Sequence, residues 1–415
     1  MLNRLEKAPA LTLPPLALYV HMPWCVRKCP YCDFNSHAAP EQVPQAKYID
    51  ALLEDLQSDL PAVQQRPLTS IFFGGGTPSL FEPEQIARLL EGVQRQLVFA
   101  DSIEITLEAN PGTIEHGRFA GYREAGVNRV SLGAQSFNDE QLRLLGRIHS
   151  RDDIARAVAE LRQAGIDNFN LDLMYGLPAQ SAPQALQDLE SALALQPAHL
   201  SHYQLTLEPG TVFYHRPPPL PDPDDCWQMQ IECQELLATR GFEQYEVSAY
   251  ARGGRRSRHN LNYWTFGDYL GIGAGAHGKL TMIDGAHAIV RTTRVRQPRE
   301  YLSRAADRRV VETREISAGD LPFEYLLNAL RLADGFAEAE FEARTGLPFA
   351  TLAGTIAVAR QKGWLEQDRP AHWRPTETGQ RFLNDLQALF LPEDPARRSG
   401  RNSIRGESST VWMNE

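Results

Sequence analysis

Short β-rich runs recur through the first half of the chain, at Ala17–His21, Ser70–Phe73, Ile103–Leu107, Arg129–Leu132, Phe169–Leu173 and Leu200–Leu205. Between them the apolar spacing lengthens to that of helices, over Gln45–Asp59, Glu84–Leu97, Asp152–Ala164 and Pro183–Leu195. The phrases Arg123-Glu-Ala-Gly126 and Arg162-Gln-Ala-Gly165 each put glycine where a helix end wants a left-handed residue. Strands alternating with helices imply a parallel sheet with crossover helices, as an open sheet or a partial barrel.

The pattern changes after a proline-rich break, Arg216-Pro-Pro-Pro-Leu-Pro-Asp-Pro223. A helix is expected from Asp224 to Arg240, then a more irregular strand-rich stretch to Val295. From Pro322 to Leu391 short helices accompany strand-like pieces near Trp364 and Trp373, the pattern of a small helical, winged-helix-like domain. The tail, Pro395-Ala-Arg-Arg onward, is polar and expected to be disordered. The division is an N-terminal extension (1–15), an α/β unit (16–215), its extension (216–316), a C-terminal helical domain (317–392) and a tail (393–415).

At 415 residues the chain is long enough for a large core and two domains. A formal charge of −10 argues against a general nucleic-acid binder. No apolar run approaches the ~20 residues that span a bilayer, and Met-Leu-Asn-Arg lacks the apolar core of a signal peptide. A cytoplasmic location is expected, with peripheral membrane attachment left open.

Three of the five cysteines fall in one short phrase after the first strand, Cys25-Val-Arg-Lys-Cys29-Pro-Tyr-Cys32. Two cations among them favour the thiolate form. A disulfide with a spare thiol is the alternative, but a cysteine-poor chain without an export signal speaks against it. A closed zinc site wants four ligands, usually as two separated pairs. The remaining candidate is an iron–sulfur cluster with thiolate ligands, three of which leave one iron of four open. Cys226 and Cys233 are two turns apart on one face of a helix, too far for a disulfide, and read as buried thiols.

Cys-x3-Cys-x2-Cys after a first strand resembles the signature of the radical S-adenosylmethionine (SAM) family. Tyr19-Val-His21-Met-Pro-Trp-Cys25, Phe73-Gly-Gly-Gly-Thr-Pro-Ser79 and Leu171-Asp-Leu-Met-Tyr-Gly-Leu-Pro178 resemble its coproporphyrinogen III oxidase-like branch. The likeness runs from about Leu16 to about Leu391. It implies a partial (β/α)6 radical SAM barrel, with Cys25, Cys29 and Cys32 on a [4Fe-4S] cluster whose open iron takes SAM. It also implies SAM contacts for Tyr19, Gly75, Gly76, Thr77, Glu108, Gln135, Arg147 and Asp172, several at successive strand ends where barrels carry their chemistry.

The oxidases of that branch are expected to have a further cysteine two residues past Cys32, where this chain has Phe34. The phrase His259-Asn260-Leu-Asn262-Tyr263-Trp264 resembles instead the haem-chaperone members, where it is tied to haem binding. Imidazole is an axial ligand of haem iron and aromatic faces pack on porphyrins, so His259, Tyr263 and Trp264 are the candidate haem residues. A packed aromatic turn is the plainer alternative. Arg252, Arg255, Arg256 and Arg258 before the motif, and Arg291, Arg294, Arg296 and Arg299 after it, are candidates for the haem propionates. The implied function is to bind haem and pass it to an acceptor, such as a respiratory haem protein, with homodimerisation possible. Radical decarboxylation of coproporphyrinogen III is the alternative. The C-terminal domain is expected to cover the barrel mouth or dock the acceptor rather than read DNA.

Overall fold

The structure is a computed structural model that describes residues 9–112, 117–284 and 287–392; the 393–415 tail lies outside them. The six anticipated strands are present as β1 (Leu16–Met22), β2 (Leu68–Gly75), β3 (Phe99–Ala109), β4 (Arg129–Gln135), β5 (Phe169–Tyr175) and β6 (His199–Gln204). They are parallel and lie in chain order, as in a barrel built one βα unit at a time. Helices α1 (Gln45–Asp59), α2 (Pro83–Gln94), α3 (Phe119–Ala125), α4 (Asp139–Leu144), α5 (Arg151–Gln163) and α6 (Ala182–Ala194) make the connections. Local signals set their ends. Ser150 and Asp153 form a capping box on α5, and Gly126 (φ +113°) and Gly165 (φ +75°) take the left-handed positions expected of them.

The stretch read as an extension holds what the strand count missed. After α7 (Pro223–Thr239), β7 (Glu243–Glu246) and β8 (Ala249–Ala251) come α8 (Arg258–Trp264) and β9 (Asp268–Ile272). β9 is a seventh parallel strand, paired with β1 from Leu16↔Asp268 to Val20↔Ile272. Antiparallel β10 (His277–Met282), β11 (Ala288–Arg294) and β12 (Val310–Glu315) continue beyond it. The sheet has 12 strands and does not close: β12 and β7 are its edges. Its apolar core packs between the strands and α1, α2, α5 and α6.

The C-terminal unit follows the order of a winged helix: α9 (Leu321–Ala329), β13 (Phe336–Ala337), α10 (Glu338–Thr345), α11 (Ala353–Gln361), β14 (Leu365–Arg369) and β15 (His372–Pro375). Its separate core also takes in Phe266 and Ile289 from the sheet side. Residues of the N-terminal extension reach it too, where the Thr12 N–H donates to the Ala343 carbonyl (2.9 Å). It also touches the far edge of the sheet. Arg331 pairs with Glu246 (3.1 Å), and the Ala333 N–H donates to the Tyr245 carbonyl (3.0 Å), both at β7.

Candidate functional site

The cysteines lie where β1 ends. Cys25 closes a two-residue parallel ladder, Trp24–Cys25 against His37–Ala38. Cys29 and Cys32 sit on the loop between, turned by the Cys32 N–H donating to the Cys29 carbonyl (3.2 Å). All three are free and half-buried. No three His, Cys, Asp or Glu side chains among the described residues meet at one ion. Arg27 and Lys28, expected to favour the thiolate form, do not lower Cys25 or Cys32. Both cations are exposed, and Lys28 Nζ turns to the carbonyls of Phe34 (3.2 Å) and Ser36 (3.3 Å). Burial instead pushes the Cys25 thiol up and that of Cys32 up to about 11, so metal binding here must expel protons. Arg147 is the cation at hand, its Nη1 3.7 Å from Cys29 Sγ.

Of the residues expected around SAM, Thr77 and Arg147 lie directly beside these thiols. Arg147 donates to the Gly133 carbonyl (2.8 Å) and to Asn110 Oδ1. Asn110 Nδ2 donates to Thr77 Oγ1 (3.0 Å), and Thr77 in turn bonds the Cys25 thiol. Cys29, Thr77, Asn110 and Arg147 line one cleft. The glycine run works differently from expectation. The Gly76 and Thr77 N–H groups are already committed to the carbonyls of Met22 (2.7 Å) and Trp24 (2.8 Å). A Cβ at Gly75 would lie 2.6 Å from the His21 ring, and one at Gly76 2.6 Å from the Trp24 carbonyl oxygen. The glycines therefore let β2 press against the cysteine strand. The Gly75 N–H goes to Glu108, whose carboxyl burial pushes up to about 8, with the nearby Asp172 adding to the rise. Burial pushes Asp172 up as well, against hydrogen bonds from Ser201, Asn170 (2.7 Å) and Ser131 (3.2 Å). Gln135 sits in the left-handed region (φ +68°), an unusual state for a side-chain-bearing residue, and accepts from the Tyr203 hydroxyl (3.0 Å).

The aromatic motif is not irregular chain but helix α8. Ser257 caps it by accepting from the Asn260 N–H (3.3 Å). Glu104 accepts from the N–H groups of Arg258 (3.0 Å) and His259 (3.2 Å). The motif's three candidates diverge. His259 enters the barrel, 2 % exposed, with Nδ1 3.4 Å from Ser70 Oγ and its ring stacked on Phe72 (4.6 Å). Burial, then Arg129, pushes its pKa down to about 3, so it is neutral at pH 7. Its Nε2 has no hydrogen-bond partner. Tyr263 meets His259 edge-on (4.7 Å), whereas Trp264 points to the C-terminal unit beneath Arg331 (4.3 Å). Tyr19 joins the two residue sets: its ring stacks near Phe72 (6.4 Å) and His259 (6.3 Å), and its hydroxyl bonds His21 Nδ1 (3.0 Å). His259 lies toward the N-terminal ends of the strands, opposite the cysteines, as its contacts with Ser70 and Glu104 require.

Several of the arginines proposed for propionates are engaged elsewhere. Arg294 is fully buried on Asp55 and Asp59. Arg291 pairs with Glu324 (2.7 Å) and Arg256 with Asp334 (2.7 Å). Arg255, Arg296 and Arg299 are exposed. The structure adds Asn110, Tyr203 and Arg129, ordinary residues whose sequence context carries no signal.

The chain matches the model of the radical SAM superfamily over residues 19–192 and that of the HemN C-terminal domain over 316–382. It is 50% identical over 386 residues to the protein named "Heme chaperone HemW" from Haemophilus influenzae, covering 92% of this chain and 99% of that one. It is 49% identical over 381 residues to its Escherichia coli namesake, covering 92% and 99%. The solved structure of coproporphyrinogen III oxidase (HemN) from Escherichia coli superposes with a TM-score of 0.76 at 23% identity, over 91% of this chain and 90% of that one, which speaks to the fold alone. Radical SAM proteins carry a [4Fe-4S] cluster and SAM, and the free thiols with the cleft beside them fit both. On the combined identity and coverage, this chain belongs to the radical SAM superfamily and, within it, to the HemW family.

Proposed function

We propose that this protein is a haem chaperone that takes up haem and passes it to a haem-requiring acceptor protein. The observation that carries the reading is His259: a neutral imidazole whose Nε2 is buried without a partner. A buried polar atom left unsatisfied is costly, and iron ligation would satisfy it. Relatives sharing half the sequence bear the name of haem chaperone. With His259 2 % exposed, haem reaches it through the barrel interior or after α8 turns outward. Cys25, Cys29 and Cys32 would hold the cluster. Arg147, Asn110, Glu108, Gln135 and Asp172 would hold and orient SAM, which together with the cluster supplies one-electron chemistry when bound.

The test is an anaerobic haem titration of cluster-reconstituted protein beside His259→Ala, followed by absorption. Saturation near one haem per chain, with the spectrum changed or lost in the variant, is expected. Binding indifferent to His259 would overturn the reading and direct attention to coproporphyrinogen decarboxylation.

A further inference from the structure

A buried cation with no ion-pair contact among the described residues sits in the barrel interior, its charge felt by the Asp172 carboxyl but not met by a salt bridge. Arg129 begins β4, is 2 % exposed, has no hydrogen-bond partner at Nε, and joins no ion pair among the described residues. Its strand partner is Thr106 on β3, fully buried, whose hydroxyl also has no partner. Thr106 is in turn level with Phe72 on β2, the residue on which His259 stacks. A lone buried guanidinium is expensive unless something pairs with it. The acids nearby are turned elsewhere. Glu104 gives its oxygen to two N–H groups of α8, and Asp172 accepts from Ser131 and Asn170.

We propose that Arg129 and Thr106 form a binding site for one carboxylate group inside the barrel, between the cysteine end and α8. The planar guanidinium matches two carboxylate oxygens, and the Thr106 hydroxyl supplies a further donor. A single carboxylate brings one negative charge to match the one guanidinium, which a phosphate dianion would exceed. The carboxylate belongs either to a small free acid or to the side arm of a larger ligand. The haem propionate is the second source, and only that source rests on the chaperone reading.

The experiment uses cluster-reconstituted full-length protein, Arg129→Met and, as a second, isosteric variant, Thr106→Val. One arm adds acetate at constant ionic strength against chloride and follows the melting temperature. The other compares the affinity of haem with that of its dimethyl ester. A rise of several degrees with acetate in the wild type, absent in R129M and reduced in T106V, identifies a free carboxylate. A tenfold or greater preference for haem over the diester that disappears in R129M identifies the propionate. If neither ligand distinguishes the wild type from the variants, the proposal falls. The chaperone reading fails separately, through a haem spectrum indifferent to His259, and the acetate arm does not depend on it.

Discussion

Glu108→Gln should remove a pH dependence that the wild type carries. In the native protein the Glu108 carboxyl is pushed from its ordinary 4.5 up to about 8, by burial first and by Asp172 second. Between those values the folded chain holds a proton at this residue that the unfolded chain has released. The stability due to neutral Glu108 is therefore complete below 4.5 and lost as pH rises through about 8. At about 1.4 kcal/mol per pH unit the full interval is worth roughly 5 kcal/mol. Glu108 keeps some surface exposure, where water relieves part of the burial, so a realised change of about 2–4 kcal/mol is expected. The amide keeps the side chain's shape and its acceptor for the Gly75 N–H, while losing the titration. Urea unfolding of both proteins at intervals from pH 5 to 8 is the assay. Over that range the difference should move by about 2–4 kcal/mol in the variant's favour, with m unchanged. His21 and His202, which burial pushes down to about 4, titrate in both proteins and cancel in the difference. A difference that stays constant to within about 0.5 kcal/mol across this range would refute the reasoning.

Asp268→Asn should cost about 3–5 kcal/mol in chemical denaturation, because it leaves Lys279 buried without its counter-ion. Asp268 is fully buried and accepts from Lys279 (2.8 Å), Arg66 (2.6 Å) and Thr281; a loss under about 1 kcal/mol would mean that the pair is not desolvated as the structure has it. Gln135→Gly should leave stability within about 1 kcal/mol, since relief of the positive φ offsets the lost Tyr203 bond. SAM affinity measured by equilibrium dialysis should fall in the same variant, and an unchanged value would argue against a ligand-facing Gln135.

The six β-rich runs were legible because each is a compact block of strand-forming residues bounded by helix-like spacing. β9 was not. It begins with Asp268, whose burial depends on Arg66 far away in sequence and on Lys279 of the next strand, and its Asp-Tyr-Leu-Gly-Ile lies in a glycine-rich part of the stretch read only as irregular and strand-rich. Helix α8 was hidden in the same way, since Glu104 on a distant strand satisfies its first amides. The cysteines could be read from spacing alone. Arg294 was misjudged with its neighbours because charge on paper does not show the Asp55 and Asp59 that bury it. Arg129 gave no signal at all, since only the packed barrel reveals a cation without a partner.

The pairing of β1 with β9 bears on how the chain is made. Leu16 and Asp268 are neighbours in the sheet yet about 250 positions apart. At about 5–20 residues per second a ribosome needs roughly ten to fifty seconds to deliver the second after the first. From the time β2 has emerged until Asp268 follows, β1 has β2 on one side and an open hydrogen-bonding edge on the other. A nascent chain halted before Asp268 would present that edge to any other strand in reach. Stalled synthesis, or a fragment ending before β9, should therefore yield aggregates rather than a smaller working protein.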